Sequence, residues 1–247
     1  MNSPQRLSGL TVLVTGASSG LGAHFCQTLA AQGVRVIGLA RRDCSGQPGV
    51  DRAIQADIAQ TDALEAAIRA ELGSPGQAPR IDGVINNAGI AITASLDQTR
   101  PEEEARVLAT NISGVTNMTR ALVPYLRAQG GGVIVNMASV LGILPVKQVA
   151  IYAASKAAII QMTRSSAIEL ARDQIRVNAL APGYVRTELN AEVLDGPAGE
   201  ALKELTPLRR FAQPSELDAP LFCLLDPANS YMTGAVLVVD GGMSAGL

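Results

Sequence analysis

The sequence predicts an α/β fold in which a doubly wound parallel β-sheet is flanked by helices within a single domain, 1–247. Short apolar, β-branched runs alternate with longer helical patterns along the whole chain, as is typical of parallel sheets whose strands are buried on both faces. Glycine-rich or polar turns follow several of the runs, and no internal repeat interrupts the alternation. With 247 residues, 47% apolar and 17% charged, the chain can bury one large core.

Composition and charge argue against several classes of protein. The formal net charge is −2 and no basic cluster exceeds two residues, so we expect no binding to nucleic acid or to a membrane. No apolar run approaches a membrane span, and the amino terminus does not resemble a signal peptide. Three separated cysteines and a single histidine, His24, predict a reduced, cytoplasmic protein with no metal site. Cys26 and Cys223 lie in apolar helical patterns and are expected in the core, whereas Cys44 is expected in an exposed loop.

The first strand, Leu10 to Thr15, runs directly into the glycine-rich stretch TGASSGLG, which opens an apolar helix closed by Gly33. A strand, a glycine-rich turn and a helix in this order predict a dinucleotide-binding site. The turn lets the backbone approach a pyrophosphate, and the amides at the helix start face the anion. The alternative is a tight turn with no ligand. The turn residues predicted to contact the cofactor are Gly16, Ser18, Ser19, Gly20, Leu21 and Gly22.

The second strand, Val34 to Ala40, ends where a dinucleotide-binding fold distinguishes its two cofactors. An acidic residue there accepts from a ribose hydroxyl, whereas an arginine accommodates the additional phosphate of NADP. Ala40 is followed by Arg41 and Arg42, which favours NADP. Asp43 keeps NAD open as the alternative, because its carboxylate would favour NAD if it folded back onto the ribose. The two arginines can also be explained as solvated loop charges.

The next elements border the adenosine side of the predicted site. Turn-forming residues leave little room for a helix before the third strand, roughly Arg52 to Ala56. Asp57 and Ile58 follow this strand and can meet the adenine edge. The amphipathic stretch TDALEAAIRAEL predicts a helix with Thr61 as its N-cap.

The middle of the chain predicts a strand and one long helix. IDGVINNAG is a buried strand that ends in a polar turn, where Asn87, Ala88 and Gly89 can pass beside the cofactor. A long helix begins at about Pro101, with acidic residues in its first turn as the helix dipole prefers. Asn111 lies inside this helix, where an asparagine ordinarily faces solvent or a neighbouring backbone.

The strand GGVIVNMAS and the Ala-rich helix after it carry the predicted catalytic groups. Ser139 lies just past the strand end, where open parallel sheets bind ligands. Tyr152 and Lys156 are four residues apart and therefore share one helix face. A positive charge roughly 4 Å from the phenol supplies about 4 kcal/mol, enough to lower a tyrosine pKa by about 3 units. We therefore predict that Ser139 holds a substrate oxygen against Tyr152, whose pKa Lys156 lowers. An ordinary surface tyrosine and lysine is the alternative.

The last third of the chain completes the alternation. QIRVNALAPG predicts a strand turned by Pro182 and Gly183, and PSELDAPLFCLL and AVLVVDGG predict the last helix and strand. The segment 184–205 between them is interrupted by glycine and proline and is long enough for a substrate lid.

Taken together, these stretches resemble the short-chain dehydrogenase/reductase family, in its branch of roughly 250 residues. The resemblance covers essentially the whole chain. It rests on the order and spacing of TGASSGLG, Asp57-Ile58, NNAG at 86–89, NISG at 111–114, Ser139, YAASK at 152–156, PGYVRT at 182–187 and YMTGAVLVVDGG. The short connection between the second and third strands departs from the family and leaves the adenosine-side wall in doubt.

The resemblance implies a Rossmann-type sheet, a homotetramer and a role for each site residue. Asn111 holds a water that relays protons to Lys156, which also bonds the nicotinamide ribose. Tyr152 is the general acid in reduction and the base in oxidation, and Ser139 orients the substrate oxygen. Family members with an arginine at the position of Arg41 tend to prefer NADP as the cofactor. The remaining implied cofactor contacts are Pro182, Gly183, Val185 and Thr187, the last two at the nicotinamide carboxamide.

These observations predict an NADP-linked carbonyl reductase or alcohol dehydrogenase that needs no metal. The predicted pocket wall is mostly apolar, which favours a neutral, hydrophobic ketone or secondary alcohol. A 3-oxoacyl thioester stays open, because four cations could contact a carrier: Lys147, Arg186, Arg209 and Arg210. A non-enzymatic dinucleotide-binding regulator is disfavoured by the intact catalytic set, and a sugar-nucleotide epimerase by the chain length. The predicted wall consists of Leu141, Ile143, Leu144, Val146, Gln148, Tyr184 and Leu189.

Overall fold

The computed structural model describes residues 6–77, 79–188 and 190–245. The two ends of the predicted domain and Leu189 of the predicted pocket wall lie outside the described residues. None of the helices in the described part of the chain is both long and apolar enough to span a membrane.

Seven parallel strands form one sheet in the order β3-β2-β1-β4-β5-β6-β7. The chain starts near the middle of the sheet at β1, builds outwards to β3, and then returns to β4 to build the other half. This confirms the predicted doubly wound parallel sheet. The strands are β1 Thr11–Thr15, β2 Arg35–Ala40, β3 Arg52–Gln55, β4 Gly83–Asn86, β5 Gly132–Met137, β6 Ile175–Pro182 and β7 Val236–Val239.

Helices cover both faces of the sheet, because each strand has apolar side chains on both sides. Alternate residues of β1 show this: Val12 and Val14 pack in a cluster with α1 and α8, and Leu13 packs in a cluster with α2, α4 and α5. The helices are α1 Gly20–Ala31, α2 Thr61–Leu72, α3 Pro101–Leu108, α4 Gly114–Ala128, α5 Ala150–Leu170, α6 Ala191–Leu194, α7 Pro197–Glu204 and α8 Asp218–Leu225.

Two helix predictions differ from the structure. Thr61 is the first residue of α2 rather than its N-cap, which is Gln60 in an extended conformation. The long helix predicted from Pro101 is divided into α3 and α4 by a π-helical turn, Ala109–Ser113. Such turns are frequent at functional sites, and this one contains Asn111. Between β2 and β3 the chain forms turns without a helix, as its length predicts.

The predictions for two cysteines were wrong. Cys44 is 1% exposed, because Gly38 in β2 has no side chain and the Cys44 sulfur lies over it, 3.1 Å from where a Cβ would be. Cys223 is exposed, because α8 buries its face with Leu221, Leu224 and Leu225 and Cys223 points away from that face. His24 on α1 forms a 2.8 Å contact between its Nε2 and Asp218 Oδ1 at the start of α8.

Candidate active site

The carboxyl ends of β1, β4, β5 and β6 bring four predicted site segments to one edge of the sheet. β1 and β4 are neighbours although the chain between them visits the far edge, and a crevice forms where the strand order reverses in this way. The glycine-rich turn follows β1, the NNAG turn follows β4, Ser139 follows β5, and Pro182 ends β6.

The glycine-rich turn is tight because its glycines have no side chains. Gly16 has a φ of +71°, and its backbone N–H donates to Leu39 O over 2.8 Å. A Cβ on Gly22 would lie 2.2 Å from the Gly16 carbonyl oxygen, closer than any real contact. The first turn of α1 therefore packs directly on the turn, which leaves backbone and the short hydroxyl side chains of Ser18 and Ser19 at the helix start.

Thr15 connects this turn to the NNAG turn, a role that the sequence analysis missed. Its hydroxyl oxygen accepts from the backbone N–H groups of Asn87 (2.9 Å) and Ala88 (3.0 Å). The Asn87 side-chain amide donates to the Thr15 carbonyl oxygen over 2.9 Å. A polar residue at the end of an otherwise apolar strand was the available signal.

Arg42, rather than Arg41, lies against the glycine-rich turn. Its guanidinium donates to the hydroxyls of Ser18 (3.2 Å) and Ser19 (3.0 Å). Arg41 is exposed, and its carbonyl oxygen accepts from Gln55. The Asp43 carboxylate accepts from Ser45 N (2.9 Å) and from Ser45 Oγ (3.0 Å), and these bonds lower the pKa of Asp43. Asp43 is therefore engaged in its own turn.

The residues predicted at the adenine edge contact their own surroundings. Asp57 Oδ1 accepts from Ala59 N over 2.9 Å. Ile58 is buried, its carbonyl oxygen accepts from Asn117 Nδ2 (2.9 Å), and its side chain lies over Gly114 at the start of α4.

Ser139, Tyr152 and Lys156 come together where β5 ends and α5 begins. Lys156 is buried, its ammonium donates to Met137 O over 2.7 Å, and Nζ lies 5.6 Å from the centre of the Tyr152 ring. Ser139 is also buried, and its Oγ accepts from Leu141 N over 3.1 Å. A hydroxyl whose oxygen accepts from the backbone can still donate its hydrogen to another oxygen.

The pKa of Tyr152 differs from the prediction. Burial raises it above its ordinary value of 10, and the nearby Ser139 hydroxyl only partly opposes this. Burial also lowers the pKa of Lys156 from 10.5 to about 8. Both shifts have the same cause, since a buried site disfavours the charged form of either group. Burial therefore favours the neutral phenol, and the direction of the Tyr152 pKa is opposite to the lowering predicted from Lys156.

Asn111 does not face solvent. It is 1% exposed, and its Oδ1 accepts from Ile90 N over 2.8 Å. Its Nδ2 donates to Ile90 O (2.9 Å) and to Ser155 Oγ (3.0 Å). A Cβ on Gly89 would lie 3.3 Å from Asn111 Oδ1 and 3.5 Å from Lys156 Nζ, so Asn111 and Lys156 border the same small space.

The segment after β6 forms the other side of the edge. Gly183 allows close packing, because a Cβ there would lie 2.8 Å from Asp240 Cα. Val185 is buried and pairs with Ala212. The Thr187 N–H and hydroxyl both donate to Asn190 Oδ1, over 2.8 and 3.2 Å. The predicted lid contains α6 and α7.

An apolar cluster surrounds the Tyr152 side chain. Val140, Leu141 and Met243 are its buried members. Met243 lies about 90 residues after Tyr152 along the chain, so no local sequence pattern could assign it to the pocket. Two residues of the predicted pocket wall are not members of this cluster: Ile143, which is 45% exposed, and Gln148, whose backbone has a φ of +65°. The partly buried members are Leu144, Val146, Val149, Tyr152, Ala153 and Tyr184.

Known proteins resemble this chain along most of its length. A family model described as enoyl-(acyl carrier protein) reductase matches residues 16–244. The chain is 37% identical to a 3beta-hydroxysteroid dehydrogenase 1 of Eggerthella lenta, over 96% of this chain and 95% of that protein. It is 36% identical to a 3-oxoacyl-[acyl-carrier-protein] reductase of Thermotoga maritima, over 96% and 99% of the two chains.

Solved structures show the same architecture. A short-chain type dehydrogenase/reductase from Mycobacterium marinum superposes with a TM-score of 0.86 at 35% identity, over 98% of both chains. A gluconate 5-dehydrogenase from Burkholderia cenocepacia, solved in complex with NADP and tartrate, superposes with a TM-score of 0.89 at 30% identity, over 99% of this chain and 98% of that one.

Proposed function

This chain belongs to the short-chain dehydrogenase/reductase family, and from its site we propose that it is a cytoplasmic NADP-linked oxidoreductase of ketones and secondary alcohols. The observation that carries the proposal is the position of the Tyr152 phenol beside the Ser139 hydroxyl and the buried ammonium of Lys156. A neutral phenol is the form that can donate a proton to a carbonyl oxygen.

Each catalytic residue has a distinct part in the proposed reaction. The nicotinamide dinucleotide supplies the hydride in reduction and accepts it in oxidation. The Ser139 hydroxyl, anchored by Leu141 N, donates a hydrogen bond to the substrate oxygen and holds it against the phenol. In reduction Tyr152 gives its proton to that oxygen and becomes a phenolate, and in oxidation this phenolate would take the proton from the alcohol. Lys156 has three donors and uses one on Met137 O, which leaves two for a ribose hydroxyl and a proton relay beside Asn111.

The glycine-rich edge fits a dinucleotide, and its charges favour NADP. A pyrophosphate can approach the backbone because Gly16 and Gly22 carry no side chains. The Arg42 guanidinium beside Ser18 and Ser19 offers a fork of donors for a 2′-phosphate, and Arg41 follows the same strand end. Asp43, the residue that would favour NAD, bonds Ser45 instead.

The pocket favours a neutral, hydrophobic substrate over a carrier-bound thioester. The wall around Tyr152 is apolar. Three of the four cations that could meet an acidic carrier already pair with carboxylates: Arg186 with Asp195, Arg209 with Glu204, and Arg210 with Glu216.

We further propose a homotetramer. Strand β7 is an edge strand whose four apolar side chains are each only partly buried, and Ile168 on α5 is 82% exposed. Exposed apolar surface of this kind is typical of contacts between protein chains. Light scattering of the purified protein should give four times the chain mass, and a monomer at micromolar concentration would contradict the proposal.

The reaction is tested by following nicotinamide absorbance with a panel of hydrophobic ketones, sugar alcohols, steroids and 3-oxoacyl thioesters. Tyr152→Phe keeps the ring but loses the transferable proton, so turnover should fall by orders of magnitude while NADPH binding is retained. Turnover near that of the wild type in this variant would refute the mechanism. Preference for a thioester would refute the substrate class alone.

Cofactor choice is tested by comparing kcat/KM with NADPH and with NADH. Wild type should prefer NADPH, and Arg42→Ala and Arg41→Ala should each reduce that preference at least about tenfold, since one lost charged bond costs about 1.5–3 kcal/mol. Asp43→Ala is the matched control and should leave the ratio within twofold. A wild-type preference for NADH would overturn the NADP assignment.

A further inference from the structure

Ser155 lies inside the YAASK stretch, between the two residues to which we assign catalysis, and it has no assigned part in the reaction. Its side chain is fully buried. The Ser155 hydroxyl accepts from Asn111 Nδ2 over 3.0 Å and donates to the Tyr152 carbonyl oxygen over 2.7 Å. This one hydroxyl therefore joins the first turn of α5 to the π-helical turn.

The connection continues to the loop after β4. The Asn111 amide makes two further bonds to the Ile90 backbone, one through each polar atom. All its hydrogen-bonding groups are thus directed at protein atoms, and Ser155 is the only side chain among these partners. Ile90 follows Gly89, and the space at Gly89 is bordered by Asn111 Oδ1 and Lys156 Nζ.

We propose that Ser155 is a positioning residue, which fixes Asn111 against the catalytic turn of α5 and so sets the place of Asn111 beside Lys156. The proposal rests on the reaction proposed above. Ser155 touches neither substrate nor cofactor; it acts through Asn111 and the Tyr152 backbone.

The chain contains a matched control for this arrangement. Thr163 lies two turns further along α5 and is also fully buried. Its hydroxyl accepts from Asn136 Nδ2 over 2.9 Å and donates to Ile159 O over 2.8 Å, the same pattern that Ser155 makes. Removing either hydroxyl breaks one buried asparagine–hydroxyl bond on the same helix, so a loss of stability alone should be similar in the two variants.

The test compares Ser155→Ala with Thr163→Val. Ser155→Ala should lower kcat about tenfold, with the KM for the ketone and the NADPH affinity, measured by fluorescence titration, within about twofold of wild type. Its pH–rate profile should move to higher pH, because a displaced Asn111 lets further water reach Lys156 and so relieves the burial that lowers the Lys156 pKa. Tyr152 is the titratable group whose ring faces Lys156, and Tyr184 in turn acts on Tyr152. Thr163→Val should keep kcat and the profile near wild type, with a comparable fall in melting temperature.

A double-mutant cycle identifies the route of the effect. If Ser155 acts through Asn111, the combined variant Asn111→Ala with Ser155→Ala should be no slower than Asn111→Ala alone. Equal losses of kcat in Ser155→Ala and Thr163→Val, an unmoved pH profile, or multiplying effects in the cycle would overturn the proposal.

Two further measurements keep the outcomes separate. If Ser155→Ala does not fold, Ser155→Cys, which has nearly the same shape and a weak hydrogen-bonding group, takes its place with the same expectations. Wild-type turnover and its loss in Tyr152→Phe test the proposed reaction independently. If wild type turns over and Tyr152→Phe does not, the proposed reaction holds. If Ser155→Ala then behaves like Thr163→Val, only the role assigned to Ser155 is wrong.

Discussion

Replacing Lys156 by methionine should change how the stability of the fold depends on pH. Lys156 is buried, and its pKa falls from 10.5 to about 8 in the folded protein. Between these two values the unfolded chain binds more protons at this position than the folded protein does. The contribution of Lys156 to the free energy of unfolding therefore rises with pH, by about 1.4 kcal/mol per pH unit. Below pH 8 both states are protonated and the contribution is flat.

The fall of the Lys156 pKa from 10.5 to about 8 corresponds to about 3 kcal/mol, a large fraction of the 5–15 kcal/mol that typically stabilises a domain. Groups that titrate in alkali away from Lys156, such as Cys26 and Tyr125, affect wild type and variant alike. They cancel in the difference between the two proteins. Loss of the Lys156 bond to Met137 O changes the difference in free energy of unfolding by the same amount at every pH, so it adds no slope.

The assay is urea unfolding of wild type and Lys156→Met at one protein concentration, from pH 6.5 to pH 10. The free energy of unfolding of wild type minus that of the variant should be flat up to about pH 8 and should rise by about 2–3 kcal/mol by pH 10. Lys147→Met, which removes an exposed lysine, is the control for the loss of one positive charge and should give a flat difference. A flat difference for Lys156→Met as well would refute the burial argument.

Two further predictions concern the packing of the site and the thiols. Gly22→Ala places a methyl group 2.2 Å from the Gly16 carbonyl oxygen, so the turn must shift. NADPH binding, followed by fluorescence, should weaken at least tenfold, and the melting temperature should fall. Gly46→Ala is the control and should change neither, because its methyl group points into open space. In native protein at pH 8, Ellman's reagent should titrate one thiol, that of the exposed Cys223. Cys26 and Cys44 should not react, because burial raises the pKa of Cys26 to about 12 and also raises that of Cys44. Three reactive thiols before unfolding would contradict the burial of these two cysteines.

Several features of the site follow from short-range patterns and could be predicted. The alternation of apolar runs and helical segments predicts a parallel sheet, because strands buried on both faces leave a continuous apolar signal. The glycine-rich turn between β1 and α1 is local in the same way. So is the pair Tyr152 and Lys156, since a spacing of four on a helix places both side chains on one face.

Other features depend on segments that are distant in the chain. The π-helical turn and the burial of Asn111 depend on Ile90 and Ser155, which approach it from a loop and from another helix. Arg42, rather than Arg41, meets the two serines, because the turn after β2 decides which side chain faces α1.

The sequence by itself determined the fold class and the residue types that make a proton-transfer site, because both depend on short-range periodicity and spacing. Only the tertiary structure decided the electrostatics of that site. Spacing predicts that Lys156 lowers the pKa of Tyr152, yet the buried setting raises the pKa of the phenol and lowers that of the ammonium. Desolvation depends on how many atoms from distant parts of the chain exclude water, such as Met243 of the pocket cluster, and no local pattern contains that number.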